Sequence, residues 1–317
     1  MSETETELFD AAASGDRRSV ARLLSKVERG GAPARAVGAI AHARSGGSYT
    51  VGITGAPGSG KSTLTSALLR VVRDGGDPVA VLAIDPSSPF TGGAILGDRV
   101  RMQDHALDDG IFIRSMATRG HLGGLALATP QAVRVLDAAG FPWVLVETVG
   151  VGQVEVDIVG SADTTVVVVN PGWGDAIQAN KAGLMEIADV FVINKADRPG
   201  ADDTRRDLDS MLDLTQLDDG WRPPIIAAVA TDATGIGELW DQIGAHRAHL
   251  ESSGELARRR GQRAREEFTR IIAERVLQQA RDASEGDRFD ALLEQVTQRG
   301  VDPWSAADDL LGSDAAT

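Results

Sequence analysis

One short stretch combines glycines, a lysine and three hydroxyl side chains directly after an apolar run. The stretch is GAPGSGKST, residues 55–63, and it follows YTVGIT. Its spacing, G-x-x-x-x-G-K-S, is typical of a loop that cradles the phosphates of a nucleotide. Glycines let the backbone turn its amides toward phosphate oxygens, and the start of the next helix adds a positive dipole. The predicted loop residues are Gly55, Ala56, Pro57, Gly58, Ser59, Gly60, Lys61, Ser62 and Thr63.

Two side chains of this loop are expected to contribute directly to the chemistry. Lys61 should reach the β- and γ-phosphates as a positive charge, and Ser62 should offer its hydroxyl oxygen to Mg²⁺. In proteins with such a loop, carboxylates at the ends of neighbouring strands hold the metal directly or through water. Asp85 and Glu147 each close an apolar run, and Asp98 is a third candidate. The alternative for each carboxylate is a solvated cap without a ligand.

A second motif indicates which base the nucleotide carries. NKAD, residues 194–197, ends the apolar run VFVI. The carboxylate of Asp197 can accept from both the ring N–H and the exocyclic amine of guanine, and adenine presents no such donor pair. Asn194 should brace the neighbouring loop, while the stem of Lys195 lies along the base. Further on, the backbone amide of Ala230 in VATDATG is placed to meet the guanine O6. A simple strand-to-helix cap by Asn194 and Asp197 is the alternative.

Short apolar runs rich in β-branched residues position these motifs. They span residues 49–54, 79–84, 111–115, 143–148, 164–169, 190–193 and 225–230. Nearly continuous apolar strands are buried on both faces, as in parallel sheets, and the amphipathic stretches between them supply crossover helices. We therefore predict an α/β fold: a doubly wound, mostly parallel sheet in a P-loop domain over residues 48–250. Helical extensions are expected at residues 1–47 and 251–317.

The C-terminal extension contains a long charged helix with an apolar stripe. The stripe runs through Phe268, Ile271, Ile272, Arg275 and Val276. It could pack back on the domain or form a contact between two copies of the chain, and the sequence favours neither.

Composition excludes several classes of protein. The 46 acidic residues outnumber the 32 basic ones, and the net charge of -14 repels nucleic acid. The chain has no cysteine, so disulfides and thiolate metal sites are excluded. No run approaches the roughly 20 apolar residues of a membrane span, and the N-terminal residues lack the basic start of a signal peptide. We expect a cytoplasmic protein that binds neither membrane nor nucleic acid.

Four motifs together make the chain resemble the MeaB/ArgK GTPases, chaperones of adenosylcobalamin-dependent methylmalonyl-CoA mutase. The motifs are IDPSSPFTGGAILGDRVRM, ETVGVGQVEVD, NPGWGDAIQANKAG and NKAD, within residues 35–250. The resemblance implies that Asp85, Asp98 and Glu147 surround Mg²⁺. It places switch I at residues 86–102 and switch II at residues 148–157, with Gly150 at the γ-phosphate. Residues 172–184 would form a loop that communicates with the mutase, where Asp175, Gln178 and Lys181 match the family.

The activity implied by this resemblance is hydrolysis of GTP to GDP and phosphate with Mg²⁺, with Lys61, Glu147 and Gly150 as the catalytic residues. The partner would be methylmalonyl-CoA mutase or a related acyl-CoA mutase, and adenosylcobalamin belongs to that partner. A homodimer through the C-terminal helices is also implied. Two positions depart from the family: Val229 replaces the usual serine of the guanine loop, and Trp173 replaces a small residue.

Three other functions compete with this hypothesis. An ArgK-type transport-system kinase would pass phosphate to a protein acceptor, although no acceptor-activating motif is visible. A metallochaperone-type GTPase would need a metal site rich in histidine or cysteine. His246 and His249 lie three apart on a predicted helix, but we expect them to be a surface pair. A scaffold that binds nucleotide without turnover is the alternative outside enzymes.

Overall fold

The computed structural model describes residues 4–86, 105, 108–118, 124–148, 162–172, 187–214, 220–284 and 286–312. Its strands are β1 (Tyr49–Gly55), β2 (Val79–Pro86), β3 (Ile111–Thr118), β4 (Trp143–Thr148), β5 (Thr164–Val169), β6 (Val190–Asn194) and β7 (Ile225–Ala228). Every apolar run singled out in the sequence forms a strand. The last run was predicted to reach residue 230, but β7 ends at Ala228 because Val229 leaves the sheet and forms a bridge with Thr234.

Along the sequence, the described helices lie between these strands, before β1 or after β7. They are α1 (Glu5–Ala13), α2 (Arg17–Arg29), α3 (Gly31–Arg44), α4 (Lys61–Asp74), α5 (Gly124–Ala138), α6 (Ala201–Leu212), α7 (Ile236–Ser253), α8 (Glu255–Ala283), α9 (Asp287–Thr297) and α10 (Pro303–Gly312). Internal contacts divide the chain into two compact units, Met1–Arg260 and Gly261–Thr317.

All seven strands of the first unit are parallel, in the order β3-β2-β4-β1-β5-β6-β7. The predicted doubly wound α/β class is therefore confirmed. Strand β1 lies at the centre, between β4 and β5. Because the strands are parallel, their C-terminal ends open at one edge of the sheet, which is where such folds bind ligands. The phosphate loop follows β1 at this edge, so the topology alone brings it near the residues that end β4, β5 and β6.

Helices cover the sheet with three apolar cores among the described residues. One core joins β1 to α4 and α7, with Leu68 and Ile243 fully buried in it. Another joins β2, β3 and β4 to α5 and to the three N-terminal helices, with Phe9 and Leu24 fully buried. The third packs Leu208 and Leu212 of α6 against β5, β6 and β7. A half-buried ion pair between Arg114 of β3 and Glu28 of α2 also ties the N-terminal helices to the sheet.

A buried polar network lies at the opposite edge, where the strands begin. Tyr49 Oη is 2.7 Å from Thr164 Oγ1, which is 2.8 Å from His246 Nδ1. His246 Nε2 lies 3.3 Å from Asp189 Oδ1, and the ring of Trp221 packs against the imidazole. Burial is the main cause that raises the pKa of Tyr49, to about 12. The prediction that His246 belongs to a surface pair is wrong, because this histidine is fully buried on the inner face of α7.

Two arginines attach the start of α8 to the same edge of the sheet. Arg260 binds the carboxylate of Asp163 through both Nε (3.0 Å) and Nη2 (2.6 Å). The neighbouring Arg259 donates to Asp189 Oδ1 at 3.0 Å. Hydrogen bonding to Asp163 is the main cause that raises the pKa of Arg260. Both carboxylates also cap the adjacent strand, since Asp163 accepts from the Thr50 amide and Asp189 from the Thr165 amide.

The second unit consists of helical segments with little buried apolar surface. Ala306 is the one buried hydrophobic residue among its described residues. The predicted apolar stripe of α8 is exposed at Phe268 (65%), Ile272 (48%) and Val276 (57%). Over the described residues, no helix has both the length and the apolar character that crossing a membrane requires.

Candidate functional site

The loop after β1 adopts a conformation that requires glycine at two positions. Gly55 has φ 146° and Gly60 has φ 92°, values that side chains with a Cβ rarely adopt. A Cβ at Gly55 would lie 2.1 Å from the carbonyl oxygen of Val168, and one at Gly60 would lie 2.3 Å from Asn194 Nδ2. The glycines therefore permit a close approach to β5 and to the end of β6, as well as the turn itself.

Lys61 begins α4 and is buried with its ammonium folded over the loop. Its Nζ donates to the carbonyl oxygen of Gly55 at 2.7 Å and to that of Ala56 at 3.2 Å. The first N–H groups of a helix have no partner within it, and they carry the positive end of the helix dipole. A bound phosphate would meet these amides and the Lys61 charge together, as the sequence predicts.

Ser62 lies against the carboxylate of Glu147. Its hydroxyl donates to Glu147 Oε1 at 2.5 Å, and both side chains are buried. The parallel register sets Glu147 beside Ile53 of β1 and Ala83 of β2. Because Ile53 lies two residues before Gly55, this register brings the Glu147 carboxylate close to the phosphate loop. A hydroxyl and a carboxylate oxygen at this distance are the hard oxygen ligands that Mg²⁺ prefers, so the pair fits the predicted metal.

No group of three histidine, cysteine or acidic side chains that could hold a metal occurs within the described residues. A magnesium ion here would depend on Ser62 and Glu147, with waters and phosphate oxygens completing its shell. Asp85 is the penultimate residue of β2 and pairs with Ala117 of β3.

Asn194 connects the phosphate loop to the loop after β7. Its Nδ2 donates to the carbonyl oxygen of Ser59 at 2.8 Å, and its Oδ1 accepts from the amide of Ala230 at 3.2 Å. Asn194 is buried, so both contacts are shielded from water. From the sequence we expected this residue to brace one neighbouring loop. In the structure it joins two, the phosphate loop and the loop after β7.

Lys195 and Asp197 follow at the end of β6. Lys195 has a positive φ of 58°, and its Nζ donates to the carbonyl oxygen of Gly58 at 2.6 Å. The lysine stem therefore bridges from β6 to the phosphate loop. The side chain of Asp197 is exposed, which leaves its carboxylate open to a base that lies along the lysine stem.

The loop after β7 is closed by its own hydrogen bonds. Val229 donates its amide to the carbonyl of Thr234 at 3.0 Å, and Asp232 accepts from the Thr234 amide at 3.1 Å. The side-chain hydrogen bond to Thr234 is the main cause that lowers the pKa of Asp232. Because the Ala230 amide already donates to Asn194, a guanine O6 at this position would share or replace that contact.

The structure therefore brings the predicted phosphate loop, Ser62, Glu147, Asn194, Lys195 and Ala230 to one edge of the sheet. Several predicted site residues lie outside the described residues: Asp98, Gly150, Asp175, Gln178 and Lys181, with Trp173. Sequence reasoning gave no role to Asn170, whose Nδ2 lies 3.4 Å from the Gly58 carbonyl. The signal that could have found it is a polar residue directly after an apolar strand.

Comparison with known proteins gives consistent results. Residues 20–285 match the family described as Methylmalonyl Co-A mutase-associated GTPase MeaB. A protein of Pyrococcus abyssi named as a GTPase is 52% identical over 308 residues, covering 96% of this chain and 95% of its own. GTPase ArgK of Escherichia coli is 38% identical over 248 residues, covering 77% and 75%. A solved structure of an LAO/AO transport system kinase is 26% identical, with a TM-score of 0.73 over 100% of this chain and 99% of that one.

Proposed function

This chain belongs to the MeaB family of GTPases, and on that basis we propose that it hydrolyses GTP to control cofactor loading or protection in an adenosylcobalamin-dependent acyl-CoA mutase. Methylmalonyl-CoA mutase is the partner that the family description names. The assignment of a guanine nucleotide depends most on one observation: the side chain of Asn194 hydrogen-bonds both to the phosphate loop and to the loop expected to contact guanine.

Guanine recognition follows from the end of β6. Asp197 follows Lys195 by two residues and its side chain is exposed, so its carboxylate could accept from the ring N–H and the exocyclic amine of guanine. Adenine offers no such pair of donors on that edge. Competition of GDP, ADP and xanthosine diphosphate for the same site tests this assignment, and we expect GDP alone to compete at low concentration.

Hydrolysis of the γ-phosphate needs positioning and charge more than covalent chemistry. Lys61 would leave the Gly55 and Ala56 carbonyls and place its charge against the phosphate oxygens, while the amides at the start of α4 hold the remaining charge. Magnesium, held by Ser62 and Glu147, would supply further positive charge at those oxygens. No described side chain is placed as a base for the attacking water, so slow turnover that a partner raises is expected.

Association with the mutase would depend on which nucleotide is bound. Phosphate and metal order the switch segments of such proteins, and their release relaxes them. The segments assigned to this role, including Asp175, Gln178 and Lys181, are outside the described residues, so this step rests on the family relationship. Capture of the mutase with GDP, with a GTP analogue and without nucleotide tests it. Equal capture in all three states would contradict the proposal.

A homodimer formed through the C-terminal helices is part of the same proposal. The exposed Phe268, Ile272 and Val276 recur every four residues on α8, which is the pattern of a helix face that packs against another helix. Sedimentation of the full chain would give the dimer mass if the face is covered in this way. The cytoplasmic location expected from the sequence stays a prediction.

Phosphoryl transfer to an acceptor is the second candidate function, because a solved relative is named a transport system kinase. The two candidates differ in where the γ-phosphate goes. Inorganic phosphate released in proportion to GTP consumed supports the GTPase, and label retained on a protein or small molecule supports the kinase. A metallochaperone is less well supported, because the buried His246 contacts Thr164 and Trp221 within the fold.

A further inference from the structure

Asn170 is a polar side chain at the nucleotide site that neither the phosphate loop nor the NKAD motif includes. It directly follows β5, whose Val168 pairs with Gly55 at the start of the phosphate loop. Its Nδ2 donates to the carbonyl oxygen of Gly58 at 3.4 Å, a long contact. The pairing of β5 with β1 at the centre of the sheet therefore positions Asn170 beside Gly58 in the phosphate loop.

The other half of this carboxamide lacks a partner. Oδ1 of Asn170 is buried, and no hydrogen-bond donor reaches it among the residues that the structure describes. A buried acceptor without a donor costs free energy, and native proteins contain few of them. Exchanging the two ends of the carboxamide would not help, because it would set one acceptor against the Gly58 carbonyl and bury an unpaired NH₂ group.

Lys195 supplies the kind of donor that this oxygen lacks. Its Nζ donates to the same Gly58 carbonyl at 2.6 Å, so the ammonium and the Asn170 carboxamide share one acceptor. An ammonium group has three N–H bonds. One N–H of Lys195 serves the Gly58 carbonyl, and a second could turn to Asn170 Oδ1 on rotation of either side chain.

We propose that Asn170 is a positioning residue of the nucleotide site, which holds the Lys195 ammonium through Oδ1 while Lys195 lies along a bound guanine base. This inference rests on the proposed function, since it needs a guanine nucleotide in the site. Three groups would then fix the lysine stem: the Gly58 carbonyl, Asn170 and the base itself. Asn170 acts through Lys195 and touches neither the phosphates nor the base.

The position of Lys195 should affect how tightly the guanine base is held, and GDP and GTP carry the same base. Loss of Asn170 should therefore speed the release of both nucleotides by the same factor. A change at the phosphates, by contrast, would affect GTP more than GDP. Hydrogen bonds to charged groups are among the stronger ones in proteins, and we expect release about 10-fold faster.

The test is a double-mutant cycle on the full chain, with the release rate of fluorescently labelled GDP and GTP as readout. Asn170→Ala, Lys195→Ala and the double variant are compared with wild type. We expect Asn170→Ala to speed release about 10-fold in the wild-type background and less than about twofold in the Lys195→Ala background. Asn170→Ser, which keeps a hydroxyl acceptor, should lie between alanine and wild type.

Thr204→Val is the matched control, because Thr204 accepts from the amide of Gly172, two residues after Asn170, and donates to the carbonyl of Gly200. It should leave the release rate within about twofold of wild type. Full additivity of the Asn170 and Lys195 substitutions would overturn the inference while leaving GTP binding intact. Unchanged release in both Asn170 variants would also overturn it. Absence of labelled-GDP binding by the wild type would instead overturn the proposed function together with the inference.

Discussion

Ser62 Oγ lies 2.5 Å from Glu147 Oε1, with both side chains buried at the C-terminal edge of the sheet. Ser62 comes from the first turn of α4, and Glu147 comes from β4, the strand next to β1. Two residues that are 85 positions apart in the chain thus meet through this hydrogen bond. In the proposed function, the pair would supply two oxygen ligands for a magnesium ion.

Glu147→Gln should reduce metal-dependent turnover without preventing nucleotide binding. The amide keeps the shape of the side chain but loses the negative charge that would hold Mg²⁺. We expect kcat for GTP to fall about 100-fold, with more Mg²⁺ needed for half-maximal rate. The control is Glu238→Gln, an exposed acidic residue in the first turn of α7. An unchanged magnesium dependence in Glu147→Gln would remove this residue from the metal site.

Lys61→Ala should abolish measurable turnover and weaken GTP binding more than GDP binding. The reason is that the ammonium is expected at the β- and γ-phosphates, and GDP lacks the second of these. Calorimetric affinities for both nucleotides, with the rate of phosphate release, provide the measurement. Lys26→Ala is the control, since Lys26 pairs with Glu5 in the N-terminal helices. Nearly normal GTPase activity in Lys61→Ala would undo the assignment of the loop.

Asn194→Ala should lower both stability and nucleotide affinity. The substitution removes the donor to the Ser59 carbonyl and the acceptor for the Ala230 amide, and it leaves both backbone groups buried. We expect a loss of about 2 kcal/mol in the free energy of unfolding. Denaturant unfolding with and without GDP measures it, with Gln298→Ala on the exposed end of α9 as control. A loss below about 0.5 kcal/mol, as is usual for surface substitutions, would show that the bridge contributes little.

Tyr49 provides a pH-dependent readout of the folded sheet, because it is the single tyrosine of the chain. Burial raises its pKa to about 12, above the ordinary value near 10. A tyrosine whose pKa is raised in the folded state stabilises the fold fully below the unfolded value, and this contribution is lost as pH rises from about 10 through about 12. The absorbance of tyrosinate should therefore be absent from the folded protein at pH about 10.5 and appear on unfolding in denaturant. Tyrosinate formed in folded protein with a midpoint near 10 would contradict the burial of this side chain.

Much of the fold could be predicted because its signals are local. The seven apolar runs and the GxxxxGKS spacing specify parallel strands and a phosphate loop without reference to the rest of the chain. The link from Asn194 to the Ala230 amide could not be predicted in detail, because it depends on how β6 and β7 lie side by side. The burial of His246 could not be predicted for a similar reason. Its partners, Thr164 and Trp221, are distant in the sequence and only the fold brings them to it.

The most direct test of the proposed function is the rate of GTP hydrolysis with and without an adenosylcobalamin-dependent methylmalonyl-CoA mutase from the same source. We predict a slow rate for the protein alone, a rate several-fold higher with the mutase, and release of all the γ-phosphate as inorganic phosphate. The same rate in both conditions would contradict the coupling to a mutase. No hydrolysis in either condition would contradict the GTPase itself.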